Sequence, residues 1–238
     1  TLARLLIGIL ATTPNIELKL KGDHSLNKRN MKKLIKLMNS FGAEFSPIKK
    51  TNFPLRLISS EIPLGINYKA GVSAQLKSAA ILAGLNSYGQ TFIEEKIKSR
   101  DHTENMLKAN KNSISVNKGD TNVIKIIGKN QLQKINITIP GDPSSAAFFC
   151  ALTILNTNCK LKIKNVQLNR TRIGFYEILK KSGAKIKFNN VKLKNGERIG
   201  DISVKSSKLK PLRASKVFYP KTADEYPILF VIASLIKG

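Results

Sequence analysis

The chain has 238 residues, of which 42% are hydrophobic and 24% are charged. This composition supports a folded core in one large domain or two smaller ones, and it excludes a disordered chain. No apolar run approaches the roughly 20 residues that a membrane helix needs, and the first residues lack a basic leader with a cleavage site. Two cysteines and two histidines are too few for a disulfide scaffold or a histidine-rich metal centre. We therefore expect a soluble, cytoplasmic protein with reduced thiols.

The charge is strongly basic, because 41 lysines and arginines against 15 acidic residues give a net charge of +26. Such a field suits nucleic acid, an anionic membrane or small anionic substrates. The basic residues are 33 lysines and only 8 arginines, without a basic block or interleaved aromatic residues. Proteins that read nucleic acid favour arginine, whose planar guanidinium binds phosphates and bases through paired hydrogen bonds. A diffuse excess of lysine is therefore a poor indication of a nucleic-acid reader, and we expect the lysines mostly to lie on a solvated surface.

The predicted elements begin with an apolar helix over residues 1–11. This helix has no capping segment before it, which suggests a chain cut from a longer protein. A strand over 16–20 and a turn-rich segment precede a second helix, whose apolar residues have helical spacing. They are Met31, Leu34, Ile35, Met38 and Phe41. The second helix ends at Gly42, because glycine adopts the left-handed C-terminal conformation at least cost, and residues 43–46 follow as a strand.

The same order of elements recurs along the chain. The second copy has a small-residue helix over 73–85, a strand over 90–95 and a helix over 103–109. The third has a helix over 144–155, a strand over 160–166 and a helix over 173–182, and a fourth copy begins at Asp224. Further strand patterns lie at 55–59, 67–70, 114–116, 122–127 and 135–139. Repetition with a period of roughly 71 residues indicates one supersecondary unit that is used several times.

The segment Pro140-Gly-Asp-Pro interrupts this pattern between the second and third copies. Proline and glycine at this density are typical of a connection rather than of a helix or strand. We therefore place a domain boundary here. Residues 1–140 are predicted to form most of one lobe, with about two repeat units, and residues 141–238 to form part of a second lobe, with one unit and the start of another.

An arginine lies in the loop before the second helix of each complete copy. These residues are Arg29, Arg100 and Arg172, and they are 71 and 72 residues apart. If the copies surround a pseudo-symmetry axis, the three loops face a common region, where guanidinium groups and helix N-termini favour anions. The alternative is that each arginine caps or packs its own unit. The sequence leaves both interpretations open.

The start of the helix over 73–85 suits an anionic ligand. Ser73 is the predicted N-cap, and Gln75 lies in the first turn. Small neighbouring side chains would let a ligand approach the free amide N–H groups at this helix end. The alternative is a purely structural role, in which Ser73 is an ordinary N-cap of a buried, alanine-rich helix.

The loop before the next helix also carries polar residues that suit a phosphate. We predict that Thr103 or Asp101 caps this helix, which leaves Ser99 and Arg100 exposed on the loop. Asp101 and Glu104 are expected to fix the loop through hydrogen bonds to backbone N–H groups.

Five segments carry most of these residues: Gly71-Val-Ser-Ala-Gln-Leu-Lys-Ser-Ala, Ser99-Arg-Asp-His-Thr-Glu-Asn-Met-Leu, Pro140-Gly-Asp-Pro-Ser-Ser-Ala-Ala-Phe, Asn169-Arg-Thr-Arg-Ile-Gly and Asp224-Glu-Tyr-Pro-Ile-Leu. In this order they resemble the motifs of the 5-enolpyruvylshikimate-3-phosphate synthases (EPSP synthases, 3-phosphoshikimate 1-carboxyvinyltransferases). The opening Thr1-Leu-Ala-Arg is similar to the end of that family's Asn-Ala-Gly-Thr-x-x-Arg motif. A sister family, which transfers enolpyruvate to a UDP-sugar, shares the fold but not the Ser-Arg-Asp-His-Thr-Glu loop.

The resemblance implies an α/β fold of repeated βαβαββ units in two lobes, an inverse α/β barrel of the enolpyruvate transferase type, here with both ends truncated. It also implies the reaction of the shikimate pathway to aromatic amino acids. In this reaction phosphoenolpyruvate gives its enolpyruvyl group to the 5-hydroxyl of shikimate 3-phosphate and releases phosphate. No metal or organic cofactor is implied. The implied partners are these two small anionic substrates, with no nucleic acid and no membrane, and we expect the complete protein to be a monomer.

Carried over residue by residue, the resemblance assigns two sets of ligand contacts. Shikimate 3-phosphate would be bound by Ser73, Ala74, Gln75, Ser99, Arg100 and Asp224, and phosphoenolpyruvate by Arg29 and Gln75. Asp224 is the implied catalytic carboxylate, which accepts the proton of the 5-hydroxyl. Its alternative role is the N-cap of a helix that begins at Glu225 or Tyr226.

Some positions match less closely. The proline that normally follows the implied phosphoenolpyruvate-binding arginine is Asn30 in this chain. Thr1 and Arg4 match the edge of a donor-binding motif, or have buried structural roles.

The family's first motif, with a lysine, a serine and an arginine that bind both substrates, would lie before Thr1, and its later catalytic positions would lie beyond Gly238. We therefore expect a central portion of the enzyme that does not turn over alone. Two alternatives stay open. A UDP-N-acetylglucosamine enolpyruvyl transferase would bind the nucleotide sugar, whereas a non-catalytic basic binding module would bind nucleic acid in a salt-dependent manner.

Overall fold

A computed structural model describes residues 1–236 as two compact units. The N-terminal unit comprises Thr1–Lys98 and Leu107–Lys134, and the C-terminal unit comprises Ser99–Met106 and the chain from Ile135 onward. The last change from the N-terminal to the C-terminal unit along the chain falls at 134/135, whereas the sequence places a lobe boundary at 140/141. The division into lobes 1–140 and 141–238 stays a prediction for the complete protein. No helix within residues 1–236 has the length and apolar character to cross a bilayer.

The first repeat forms a three-stranded sheet with helices packed against it. Its elements are α1 (Leu2–Leu10), β1 (Glu17–Leu20), α2 (His24–Asn27), α3 (Lys32–Asn39), β2 (Glu44–Ser46) and β3 (Leu55–Ile58). The strand order is β1-β3-β2, and both pairs are antiparallel. The apolar residues predicted at helical spacing on α3 lie in or against the core, and Gly42 ends that helix with a φ of +91°.

The second repeat contains the complete unit. In chain order it has β4 (Asn67–Ala70), α4 (Ala74–Leu85), β5 (Gln90–Glu95), α5 (His102–Leu107), β6 (Ile114–Asn117) and β7 (Asn122–Ile127). The strand order is β4-β5-β7-β6, with β4 parallel to β5 and the other pairs antiparallel. The succession is therefore βαβαββ, as the resemblance implies.

The C-terminal unit repeats this plan with longer strands. It contains α6 (Pro143–Leu155), β8 (Lys160–Gln167), α7 (Gly174–Lys181), β9 (Lys185–Lys194), β10 (Glu197–Lys205), α8 (Tyr219–Thr222) and α9 (Tyr226–Ser234). The antiparallel strand order is β8-β10-β9. Gly141 forms one parallel bridge to Val166 of β8, so it stands where β4 stands beside β5 in the second repeat.

The strand predicted over residues 135–139 is wrong. The alternating isoleucines favour a strand, but no residue of this segment pairs with a strand edge within the described chain. Its contacts to the β9–β10 hairpin are made by side chains, with Asn195 Nδ2 at 3.1 Å from Asn136 O and Lys194 Nζ at 3.5 Å from Thr138 Oγ1. Alternation shows which side chains share a face, but it does not supply the neighbouring edge that a strand requires.

Strands β9 and β10 were not singled out from the sequence, although a signal for them exists. The dipeptide Asn195-Gly196 joins them, and both residues have positive φ, of 50° and 80°. Asn-Gly between alternating residues is the strongest short-range indication of a tight hairpin. The hairpin completes the antiparallel part of the third repeat.

Helices α1 and α4 pack closely because small residues line their contact. A methyl group added to Gly8 would lie 2.7 Å from the carbonyl oxygen of Ala79. Ala79, Ala80 and Ala83 of α4 are fully buried, as the small-residue pattern of this helix predicts. The backbone of α1 therefore rests on the backbone of α4, and the start of α4 is fixed relative to the start of α1.

We predict that Gly8→Ala destabilises the N-terminal unit by about 1–3 kcal/mol, because the methyl group meets backbone atoms that have no other position to take. Urea unfolding followed by circular dichroism measures this. Gly71→Ala is the matched control, since an added methyl group there meets nothing within 4 Å. Equal unfolding midpoints for the two variants would contradict the close packing.

Candidate functional site

Helix α4 presents a capped, half-buried N-terminus. Ser73 is the N-cap, as predicted, and its hydroxyl accepts a hydrogen bond from the N–H of Leu76 at 3.4 Å. Ser73, Ala74 and Gln75 are all half-buried. The first-turn amide groups of a 12-residue helix create a positive partial charge here, which favours an anion.

The side chain of Gln75 is held from both ends. Arg4 Nη1 donates to Gln75 Oε1 at 2.5 Å, and Gln75 Nε2 donates to Thr1 Oγ1 at 3.0 Å. Thr1 and Arg4, which the sequence connects only to a motif edge, therefore lie beside the start of α4. The contacts fix the orientation of the Gln75 amide and bring a guanidinium next to it. Both contacts span more than 70 residues, so no local pattern could reveal them.

Two residues after Gln75, a fully buried lysine forms an ion pair. Lys77 Nζ lies 2.9 Å from Glu95 Oε1 at the end of β5, and the side chains are 0% and 3% exposed. Each of these buried charges depends on the other, because water does not reach either group to solvate it. The pair ties the first turns of α4 to the end of β5. The sequence signal for this pair is a single lysine within a helix that otherwise has no charged residue.

Arg29 lies apart from these contacts. It is exposed in the turn after α2, and its guanidinium has no hydrogen-bond or ion-pair partner within residues 1–236. Among the described residues, no hydrogen bond or ion pair joins its side chain to Ser73 or Gln75. Asn30, where the family has proline, accepts a hydrogen bond from the N–H of Lys32 at 2.8 Å and so helps to start α3. The departure from the family motif thus has a local structural role.

In the C-terminal unit, Arg100 and Asp224 form an ion pair across 124 residues of sequence. Arg100 Nη2 lies 2.5 Å from Asp224 Oδ2, and the side chains are 27% and 51% exposed. Asp224 is not the N-cap of α9, because that position is Glu225, whose side chain makes no capping hydrogen bond. The alternative role predicted for Asp224 is therefore wrong. Its carboxylate is available at the surface beside a guanidinium.

The loop that carries Arg100 is fastened to its unit by polar side chains. Asp101 Oδ1 accepts from Asn169 Nδ2 at 2.8 Å and from Asn105 Nδ2 at 3.1 Å. His102 Nδ1 lies 2.8 Å from Glu197 Oε1. Ser99 is only 5% exposed, so the prediction that it is exposed is wrong. The reason is that these contacts fold the loop inward, whereas a free loop would leave the serine in solvent.

A further polar network surrounds the start of α6. Asp142 is the N-cap, and its carboxylate accepts from the Ser145 N–H at 2.9 Å. Arg172 Nη2 donates to Asp142 Oδ1 at 2.8 Å and to Ser144 Oγ at 2.6 Å. Burial opposes ionisation of Asp142, but the hydrogen bonds from Ser145 and the charge of Arg172 outweigh it and hold its pKa below the usual value. Arg172 thus packs within its own unit.

Glu225, which directly follows Asp224 in the sequence, belongs to this network. The Ser144 hydroxyl donates to Glu225 Oε1, and Glu225 is only 3% exposed. Burial raises the pKa of Glu225 above its usual value, against the hydrogen bond from Ser144 and the charge of Arg172, which act to lower it. In the sequence, Glu225 is distinguished only as a member of the segment Asp224-Glu-Tyr-Pro-Ile-Leu. Its burial could not be read from its type, because glutamate is seldom buried.

The family model and two curated relatives that match this chain all belong to one family. Residues 1–238 match the family described as EPSP synthase (3-phosphoshikimate 1-carboxyvinyltransferase). A 3-phosphoshikimate 1-carboxyvinyltransferase of Caldicellulosiruptor bescii is 42% identical over 241 residues, which cover 100% of this chain and 55% of the relative. One of Zymomonas mobilis is 39% identical over 240 residues, with 100% and 53% covered. The chain spans about half the length of the curated relatives it matches.

Solved structures agree with this. An EPSP synthase from Acinetobacter baumannii has a TM-score of 0.84 at 35% identity, over 99% of this chain and 53% of that one. The enolpyruvyl transferase NikO from Streptomyces tendae has a TM-score of 0.71 at 14% identity, over 100% of this chain and 54% of that one. At that identity the second match shows the fold alone.

We predict that Lys77→Met destabilises the N-terminal unit by about 3–5 kcal/mol, because the carboxylate of Glu95 stays buried without the ammonium that balances its charge. Thermal and urea unfolding measure the loss. The exposed pair of Arg56 and Glu17 is the matched control. Arg56→Gln should cost at most about 1 kcal/mol, since water screens that pair. Similar losses in both variants would refute the importance of the buried pair.

Proposed function

We propose, from the premise that this chain belongs to the EPSP synthase family, that it carries part of the active site for enolpyruvyl transfer to shikimate 3-phosphate. The substrates are the phosphorylated hydroxy acid and phosphoenolpyruvate, both strongly anionic. Cationic groups and a carboxylate are the side chains that such a reaction needs, the first for binding and the second for proton transfer.

The proposed reaction proceeds by addition and elimination. The 5-hydroxyl oxygen forms a bond to C2 of phosphoenolpyruvate while its proton leaves to a base, and C3 of the donor gains a proton. The tetrahedral adduct then loses a proton from C3 and expels the phosphate from C2, which restores the double bond. The products are the enolpyruvyl ether and inorganic phosphate. The account requires no metal or organic cofactor.

The strongest support for this proposal is the ion pair between Arg100 and Asp224. Asp224 is assigned as the group that accepts the 5-hydroxyl proton, and it lies half-exposed beside a guanidinium. The guanidinium of Arg100 can orient this carboxylate, and a correctly placed carboxylate oxygen can act as the general base that accepts a hydroxyl proton. Arg100 is assigned to the anionic substrate. Its partly exposed position lets it exchange the carboxylate of Asp224 for a ligand oxygen.

In the N-terminal unit the assigned ligands are Ser73, Ala74 and Gln75 for shikimate 3-phosphate, with Gln75 and Arg29 for phosphoenolpyruvate. The polar start of α4 supports the first set, because Gln75 is oriented by Arg4 and Thr1. Ser99 completes the shikimate 3-phosphate contacts of the C-terminal unit. Arg29 is an exposed guanidinium without a competing carboxylate among the described residues, which suits a phosphate ligand. The complete protein is proposed to act as a cytoplasmic monomer.

We predict that Asp224→Asn lowers kcat of the complete protein by about 100- to 10,000-fold, because the amide cannot accept the 5-hydroxyl proton. The Kd for shikimate 3-phosphate should change far less, since an amide still accepts a hydrogen bond. Phosphate release and calorimetric binding measure the two quantities. Asp120→Asn, at an exposed turn, is the matched control. Unchanged kcat in Asp224→Asn would refute the catalytic assignment, and turnover with a UDP-sugar instead would assign the sister activity.

We also predict that residues 1–238 alone release no phosphate from the two substrates at a rate above background. The physical reason is that the chain spans about half the length of its relatives, so many cationic ligands of both substrates are expected on the other half. The assay compares this chain with the complete protein at equal concentration. Turnover by the chain at the rate of the complete protein would show that the expectation is wrong.

A further inference from the structure

Two acidic residues stand side by side in sequence but in opposite surroundings. The side chain of Asp224 is 51% exposed, whereas Glu225 is 3% exposed. Burying a carboxyl group costs free energy unless it gains hydrogen bonds. Glu225 occupies the N-cap position of α9, but its side chain makes no capping hydrogen bond, so helix capping gives no compensation. Its burial calls for another role.

The partner of Glu225 lies on a different element. The hydroxyl of Ser144, in the first turn of α6, donates to Glu225 Oε1. The same hydroxyl oxygen accepts from Arg172 Nη2 at 2.6 Å, so its proton is directed toward the glutamate. A hydroxyl with a fixed donor on one side and a fixed acceptor on the other has little rotational freedom. Glu225 is therefore held in one position relative to the start of α6.

The arginine in this chain is itself fixed. Arg172 donates to Asp142, the N-cap of α6, at 2.8 Å, and its side chain is 13% exposed. Its Nε is buried without a hydrogen-bond partner among the described residues, which is a cost that the fold accepts. The two motifs that the proposed function leaves without a role, Pro140-Gly-Asp-Pro-Ser-Ser and Asn169-Arg-Thr-Arg, thus meet at one point.

The hydrogen bonds of Glu225 restrict the position of its neighbour, Asp224. The backbone that bears Asp224 is anchored on one side by the Glu225–Ser144 hydrogen bond, while its carboxylate contacts Arg100 on the other. We propose that Glu225, held by Ser144 and Arg172, is a positioning residue that sets the place of the Asp224 carboxylate for proton transfer. The inference rests on the proposed function, because it assigns Asp224 as the base.

The structure favours a hydrogen-bonding role for Glu225 over a role for its charge. Its contact with Ser144 is a hydrogen bond from a neutral hydroxyl, and burial raises the pKa of Glu225. A neutral glutamine has the same shape, and its amide oxygen accepts from the Ser144 hydroxyl in the same way. Alanine, in contrast, removes the acceptor and leaves a void beside Ser144.

The test compares three variants of the complete protein by steady-state kinetics, with circular dichroism as a check of folding. Glu225→Ala should lower kcat by about 10- to 100-fold with little change in KM, because a displaced base costs rate rather than binding. Ser144→Ala should lower kcat in the same way. Glu225→Gln should keep kcat within about threefold of the wild type. Asp201→Asn is the matched control, since Asp201 is also buried in this unit and hydrogen bonded to Asn190, and its kcat should not change.

A double-mutant cycle with Asp224→Asn separates positioning from general damage. If Glu225 acts through Asp224, Glu225→Ala causes no further loss of kcat once Asp224 is an asparagine. An equal loss in both backgrounds would overturn the inference, as would a glutamine variant as slow as the alanine variant. If the wild-type complete protein does not turn over, the proposed function fails as well. If Asp224→Asn loses turnover but Glu225→Ala does not, only the positioning role fails.

Discussion

A single guanidinium, that of Arg172, joins separate stretches of chain at the start of α6. It donates to the N-cap Asp142 and to Ser144, and Ser144 donates to Glu225. Removing one member of such a network costs more than the network gains by forming, because the remaining polar groups stay buried. The backbone next to Asp224 is therefore held by side chains of other elements, of which Arg172 is 13% exposed, and Glu225 itself is only 3% exposed.

In the N-terminal unit the comparable constraint is the close approach of α1 and α4. Gly8 allows the contact with Ala79, and the helices then hold Arg4 against Gln75. The buried ion pair of Lys77 and Glu95 fixes the same helix to the end of β5. Packing and polar contacts thus act on one helix terminus. The rigid helix backbone sets the place of Ser73, Ala74 and Gln75, whereas Arg29 lies in the turn after α2.

Much of the fold could be predicted from the sequence, because helix periodicity and strand alternation are local. The repeated order of helix, strand and helix and the helix end at Gly42 are examples, whereas the βαβαββ order was implied by the family resemblance. The strand over 135–139 was wrong, since alternation does not show whether a neighbouring edge exists. The contacts of the candidate site could be predicted less well from the sequence. The contacts of Arg100 with Asp224 and of Arg4 with Gln75 join residues 124 and 71 positions apart, and a single sequence carries no record of such pairings.

A crystal structure of the complete protein with shikimate 3-phosphate bound would show whether Asp224 contacts the hydroxyl that is transferred. We predict an Asp224 carboxylate oxygen within about 2.6–3.2 Å of the 5-hydroxyl oxygen. We also expect Glu225 to keep its hydrogen bond to Ser144 and Arg100 to contact the substrate. A bound substrate whose 5-hydroxyl contacts a different carboxylate, with Asp224 still paired with Arg100, would refute the role of Asp224 as the base.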